Sequence, residues 1–370
     1  MKLNPFKLER YFAEYEFSVQ YLLSSSDCDG WLQSDLLSLA DRETRNLWDD
    51  LKLGYTESLG HPLLRDEVAR LYAGITAEDC LVIVPAEGIF LAMNAILERG
   101  NHVVCTFPGY QSLYEIAGSL GCQVTKWKPE EENGWRFNPD FLEEQIRPET
   151  RLIVVNFPHN PTGYLPTKED FQRIVDIARQ HNAFLFSDEM YRYLEYDPND
   201  RLPSACEVYE RAISLFGMSK TFGMAGVRTG WIITRDREVY SKLTALKDYT
   251  TICGSAPSEI LSIIALRARE KIIDLHLTRI RRNLGLLDKF FGDFSDRFEW
   301  TRPRAGTIAF PRLKGNGDAL EFCQKVVKEA SILLLPSTVY DYDNRHFRLG
   351  FGRENMPEAL GKLGEFLKNS

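Results

Sequence analysis

The sequence predicts an α/β fold, a mainly parallel sheet covered by helices on both faces, with a smaller α+β domain attached. Three observations predict it. Short apolar runs from about residue 81 onward read as strands buried on both sides, helical patterns separate most of them, and beyond Pro257 this rhythm gives way to a long helical stretch followed by short strands. Strands apolar on both faces need cover above and below, which helical crossovers between parallel strands supply. At 370 residues, one large domain with a smaller companion is the expected division.

Residues 1–40 are assigned to the smaller domain. Their opening, "MKLNPFKLERYFAEYEF", mixes charges with aromatics and lacks the apolar stretch and small-residue cleavage site of a secretory signal. Tyr15, Phe17, Tyr21 and Trp31 make this segment aromatic-rich, open to two readings: closure over a substrate, or packing within the lobe. Residues 41–265 form the predicted large domain. Its strands are "LVIV", "HVVCTF", "RLIVVNF", "AFLFSDE", "AISLFG" and "GWIIT", with helices at "GIFLAMNAILERG" and "TKEDFQRIVDIARQHN". The second helix opens with Thr167 and Asp170, a spacing that caps a helix start. After Pro257, "SEILSIIALRAREKIIDLHLTRIRRNLGLLDKFF" has the length of a connector between domains. Residues 266–370 complete the small domain, with strands at "TIAF" and "HFRLGF" and terminal helices.

Composition narrows the function. Apolar residues at 44% and charged residues at 26% suit a globular protein, and no apolar run approaches bilayer-spanning length. The expected location is the cytoplasm. Seven cysteines form no CxxC pair, and Cys105 and Cys323 sit in apolar patterns that predict buried, reduced thiols. Six scattered histidines show no ligand spacing, so no metal site is predicted. A net charge of -8 without a dense basic block argues against nucleic acid as a partner. A small-molecule ligand is the expectation.

In an open parallel sheet, ligands lie beyond the carboxyl ends of the strands, so the polar residues that follow each apolar run carry most weight. Four ends stand out: "VVNFPHNPTG" places Asn160, "FLFSDEMYRY" places Asp188 and Tyr191, "SLFGMSK" places Lys220, and "CTFPGYQSLYE" places Tyr110. Singly, each has an ordinary explanation as a solvated lysine, a turn former or a helix cap. Together they gather at one sheet edge, which independent surface residues have no reason to do. A lysine amine can form a Schiff base with an aldehyde cofactor when desolvation lowers its pKa. A buried carboxylate such as Asp188 can keep a pyridine nitrogen protonated, and Asn160 with Tyr191 can hydrogen-bond a phenolate oxygen. Arg228 offers a planar fork to a phosphate, and the amides near Ala86 and Glu87, opening the helix after "VIVPAEG", offer a helix-terminus anion site. Those parts describe pyridoxal 5'-phosphate.

On these residues the chain resembles the class I/II aminotransferases, of the fold-type I pyridoxal-phosphate enzymes, from "LGYTESLGHPLLRDEVA" to "FRLGFG". "SKTFGMAGVRTG" is similar to the family's Ser-Lys…Gly-x-Arg-x-Gly pattern, which implies that Lys220 is the Schiff-base lysine and Arg228 the phosphate arginine. The Asn-Pro-x-Gly turn matches Asn160 to Gly163, and the Asp-x-x-Tyr matches Asp188 to Tyr191. By resemblance Tyr110 stacks on the cofactor, Arg348 grips the substrate α-carboxylate, and Tyr55 reaches across a homodimer to the neighbour's cofactor phosphate. The implied partners are an amino acid and a 2-oxo acid. Two positions depart from the family pattern. Pro85 has no amide hydrogen to give, and Gly217 stands where many members carry a phosphate-binding hydroxyl, so the cup leans on Ser219, Arg228 and Tyr55. The glycines around Lys220 are expected to permit close approach of backbone to ligand.

Transamination is the leading expectation. A lyase, decarboxylase or cyclising enzyme on the same scaffold is the alternative, because the protein only steers which bond a common cofactor weakens. A non-catalytic ligand-sensing domain would need an attached DNA-binding module, for which residues 1–40 leave no room, and a nucleotide-binding protein would need glycine-loop motifs that are missing.

Overall fold

The structure, a computed structural model, describes residues 2–369. A seven-stranded sheet forms its centre, built from β1 (Cys80–Ile83), β2 (His102–Thr106), β3 (Gln123–Trp127), β4 (Thr150–Asn156), β5 (Phe184–Asp188), β6 (Ala212–Gly217) and β7 (Gly230–Ile233). They lie in the order β1-β7-β6-β5-β4-β2-β3, parallel throughout except for β7, which runs against both neighbours. The predicted α/β architecture is the one observed.

Alternate residues of the strands serve opposite cores. Val103, Cys105, Phe186, Ile213 and Leu215 pack under the helices Pro85–Ile96, Ser112–Ser119 and Arg237–Lys247, whereas Val104, Ile153, Leu185 and Phe216 face helices on the other side. Every strand except β3 is buried or nearly so along its length. β3, one of the two edge strands, reads "QVTKW" and is mostly exposed or half-buried. It is absent from the apolar runs because an edge strand open to solvent has no need of a continuous apolar sequence.

The helix at Lys168–Gln180 begins as the sequence predicts: Thr167 Oγ1 accepts from the Asp170 amide at 3.0 Å. The stretch after Pro257 differs from the single connector expected. It divides into Ala256–Arg267, packed on the large sheet's core, and Arg269–Asp293, whose later turns enter the smaller lobe's core. The break falls at Ala268, where the backbone leaves helical geometry (φ -93°, ψ 13°).

The smaller lobe carries β8 (Phe298–Glu299) paired with β10 (Arg312–Leu313), and a three-stranded sheet, β11 (Leu335–Pro336), β12 (Phe347–Gly350) and β9 (Ile308–Ala309), in that order. Tyr21, Leu23 and Cys28 from the beginning of the chain share its core with Phe347, Leu349 and Leu363. Residues 23–27 lie against β12 so closely that a Cβ at Gly350 would overlap the Ser25 carbonyl oxygen. Glycine is the residue that permits this approach. Cys105 and Cys323 are buried and unpaired, as predicted, and no helix among the described residues is long and apolar enough to cross a membrane.

Candidate active site

The carboxyl ends of β1, β2, β4, β5 and β6 and the beginning of β7 meet at one edge of the sheet. Because β7 runs in reverse, Arg228, just before it, arrives where residues just after the other strands do. A cavity of about 410 Å³ opens there, within the range of small-molecule sites. Its floor is Asp188, Met190 and Leu215, and Lys220 enters from the turn after β6.

Lys220 Nζ donates to Ser26 Oγ at 2.7 Å, and burial pulls its ammonium below the ordinary lysine value, against the opposing pull of Asp27. Asp188 is buried at the end of β5. Burial pushes its carboxyl up to about 7, although the Met190 amide donates to Oδ1 at 3.2 Å and Lys220 adds a positive charge. Beside it, Asn156 joins two strand ends by donating to the Asp188 carbonyl at 3.0 Å and accepting from the Asn160 amide at 2.8 Å. Tyr191 is 2% exposed, and its Oη has no hydrogen bond of normal geometry, Ser26 being its polar neighbour.

Arg348, on β12, is also 2% exposed. Its guanidinium donates to the Ser24 carbonyl (2.9 and 3.2 Å), Tyr340 Oη (2.7 Å) and Asn160 Oδ1 (3.3 Å), all neutral acceptors. A buried cation without an anion is expensive, so this group is set to receive one. Tyr110 lines the cavity, its hydroxyl donating to Glu9 at 3.0 Å and its ring 4.8 Å from that of Phe6. Ser219 and exposed Arg228 line the opposite part, where the helix Pro85–Ile96 points its N-terminus.

Pro85 occupies the first position of that helix, where a missing amide hydrogen costs nothing, and the Ala86 and Glu87 amides follow it. The Glu87 carboxylate turns away, to Thr251 Oγ1 at 2.9 Å. The two sequence departures prove to be neighbours. A Cβ built on Gly217 would stand 3.0 Å from Pro85 Cγ and 2.9 Å from Gly230 Cα, and one on Gly230 would stand 2.7 Å from Pro85 Cγ. Gly217 and Gly230 therefore admit the proline ring.

The predicted residues Lys220, Asp188, Tyr191, Asn160, Tyr110, Ser219, Arg228, Ala86 and Arg348 line one cavity. Tyr55 does not. It is 92% exposed, with Leu53, Tyr249 and Ile252 also exposed on two loops joined through Lys247, whose Nζ donates to Ser58 and Ile252 carbonyls. Sequence reasoning missed Ser26, Asn156, Asp27, Arg353, Glu9 and Glu16. The N-terminal segment does cover the cavity, but through Leu8, Glu9, Phe12 and Glu16, not through the aromatics singled out. Tyr21 belongs to the small-lobe core, Phe17 is exposed, and Trp31 Nε1 donates to the Phe222 carbonyl.

The residues fit the predicted cofactor. Tyr191 offers an unpaired buried hydroxyl, and a protonated ring nitrogen beside Asp188 would restore that carboxylate's charge. Fold and cavity together define a pyridoxal-phosphate-dependent enzyme. The profile of the family described as aminotransferase class I and II matches residues 19–363, and the chain belongs to that family. It is similar to the capreomycidine synthase of Streptomyces vinaceus, 28% identical over 97% of this chain and 93% of that one. The aspartate aminotransferase of Pyrococcus horikoshii is 29% identical over 85% and 83% of the two chains. A crystal structure of a PLP-dependent aminotransferase from Streptococcus suis superposes with a TM-score of 0.93 at 29% identity, covering 100% of this chain and 99% of that one.

Proposed function

We propose that this chain works as a cytoplasmic homodimer that moves an amino group from an L-amino acid to a 2-oxo acid, with Lys220 as its central base. One observation carries the reading: the Lys220 amine, shifted down by burial, ends the turn after β6 beside buried Asp188 at the end of adjacent β5. When bound, pyridoxal phosphate supplies an aldehyde and a pyridine ring that accepts the electron pair left on the substrate α-carbon. Lys220 has two tasks, holding the cofactor at rest and moving the proton at the substrate α-carbon. Asp188 keeps the ring nitrogen protonated, Asn160 and Tyr191 hydrogen-bond the ring oxygen, and Tyr110 packs against the ring. Arg228, Ser219 and the Ala86 and Glu87 amides hold the phosphate, with Tyr55 supplied by the partner copy. Arg348 holds the α-carboxylate through its planar fork.

Support for the dimer comes from the exposed cluster Leu53, Tyr55, Tyr249 and Ile252, since apolar groups exposed together mark association surfaces. The free cysteines support a reducing compartment. Borohydride reduction of the purified holoenzyme and peptide mapping test the central assignment. A reduced cofactor on the Lys220 peptide is expected; label on a different lysine overturns it. A second reading, cyclisation or elimination of an amino acid, is favoured by the likeness to a capreomycidine synthase over 97% of the chain. Turnover of the amino acid without a 2-oxo acid acceptor would select it, with ammonia released in an elimination and the amino nitrogen retained in a cyclised product.

A further inference from the structure

The cavity wall opposite the sheet is made by the helix Lys7–Tyr15 and the loop of residues 24–27. The helix is docked through Lys7 N to Gln111 Oε1 (3.0 Å), Gln111 Nε2 to the Pro5 carbonyl (3.1 Å) and the Tyr110–Glu9 bond. It turns Leu8, Glu9 and Phe12 to the cavity, with Glu16 just past its end. Asp27 enters from the loop.

Four carboxylates and four cations therefore line one space, and their pairing can be followed. Asp27 is taken by Arg353, at 3.1 and 3.3 Å. On the reading proposed above, Asp188 faces the ring nitrogen, Arg228 the phosphate, Lys220 the aldehyde and Arg348 the α-carboxylate. Glu9 and Glu16 remain. Glu9 accepts only from the neutral Tyr110 hydroxyl. The Glu16 carboxylate has neither a hydrogen bond nor an ion pair among the described residues, although it is half-buried beside Asp27, Glu9, Arg353 and Lys220. Burial holds its carboxyl above the ordinary value, with Asp27 and Glu9 adding to the rise against Arg353 and Lys220, which is the state of an anion short of a cation. Two other buried groups show that this cavity is built to hold a ligand: the Tyr191 hydroxyl, which lacks a hydrogen bond of normal geometry, and the Arg348 guanidinium, whose acceptors are all neutral.

We propose that the substrate is an α-amino acid with a cationic side chain, a guanidinium or an ammonium, received by Glu16 and Glu9. The inference rests on the transaminase reading and adds to it the substrate class. An acidic side chain would meet two carboxylates, and an apolar one would seal Glu16 away from water unpaired; both are costly. A cation satisfies both groups at once.

Two isosteric pairs test it: L-arginine against L-citrulline, and L-lysine against L-2-aminoheptanoate. The first readout is the single half-reaction followed through the cofactor absorbance, and the second is calorimetric binding to the purified holoenzyme. At least one cationic member should exceed its neutral partner by about tenfold or more in both readouts, the effect of one charge-assisted contact. Glu16→Gln should bring that ratio down to within about threefold of unity. Glu14→Gln, on the exposed side of the same helix, should leave the ratio unchanged. Neutral members that match or exceed both cationic ones overturn the proposal while leaving transamination standing, as does a ratio that survives Glu16→Gln. Tighter binding of the cationic member with no half-reaction from any donor overturns transamination and leaves the substrate class standing.

Discussion

At the scale of single residues, burial sets the chemistry, and Asp188 shows how. Its carboxyl sits at about 7 in the cofactor-free chain because little around it replaces the water it has lost. An acid whose folded pKa lies above its unfolded value binds the extra proton in the folded state, so stability contributed by this group falls as pH rises from about 4 to about 7. Cofactor-free native protein should lose stability across that window relative to Asp188→Asn, and thermal melts of both proteins at several pH values measure the difference. In the loaded enzyme the same variant should slow the half-reaction by about 10²–10³-fold, since the ring nitrogen is no longer held protonated. A near-native rate would leave Asp188 a purely structural role. For Arg348→Lys, catalytic efficiency with amino acids should fall about 100-fold through both binding and turnover, because the charge stays while the two-point grip is lost. Amines lacking a carboxylate should react poorly with either protein and equally so. Asp188 is legible in the sequence because it ends an apolar run, whereas Arg348, inside a short strand, is singled out only by the family resemblance. Glu9 and Ser26 are not legible, since they reach the cavity through contacts across 101 and 194 positions that no local pattern encodes.

At the scale of elements, the end of the cavity lined by Ser219 and Arg228 is where the sequence departs from the family pattern, and the departures form one packing unit. Pro85 starts a helix, Gly217 ends β6 and Gly230 begins β7, and the ring of the first fills the space that side chains on the other two would need. Read from sequence, Gly217 is a missing hydroxyl; in the fold it is a missing Cβ. Restoring the hydroxyl by Gly217→Ser should destabilise the protein by about 1–3 kcal/mol through overpacking. Pro85→Ala should recover part of that loss, because Gly230 Cα and the Thr229 carbonyl stay within about 3.0 Å of the added carbon. A double-mutant cycle on thermal stability should give a coupling of at least about 0.5 kcal/mol, and additive effects would show the two positions to be independent. β3 and the helix break at Ala268 escaped the sequence for opposite reasons. β3, open to solvent, has too little apolar pattern, and two consecutive helices in "SEILSIIALRAREKIIDL" have one that runs on without a glycine or proline to mark the bend.

At the scale of the whole molecule, the exposed Tyr55 loop predicts that the active unit is a pair. Mixing inactive Lys220→Ala chains with weakened Tyr55→Phe chains should restore activity above either alone when subunits exchange, because each hybrid holds one site with both native groups. Sedimentation of the native protein should show the dimer, and a monomer with full activity would remove Tyr55 from the site. Within one chain, the segment 21–27 is held almost wholly by residues some 300 positions later. Leu333 donates to the Tyr21 carbonyl at 2.8 Å, Gly350 to that of Leu23 at 2.7 Å, and Arg348 reaches the Ser24 carbonyl across 324 positions. Such long closures are slow to form. During synthesis, then, the sheet can assemble while the wall over its ligand edge has no partner, and that edge stays open to water, to cofactor and to other chains until the small lobe arrives.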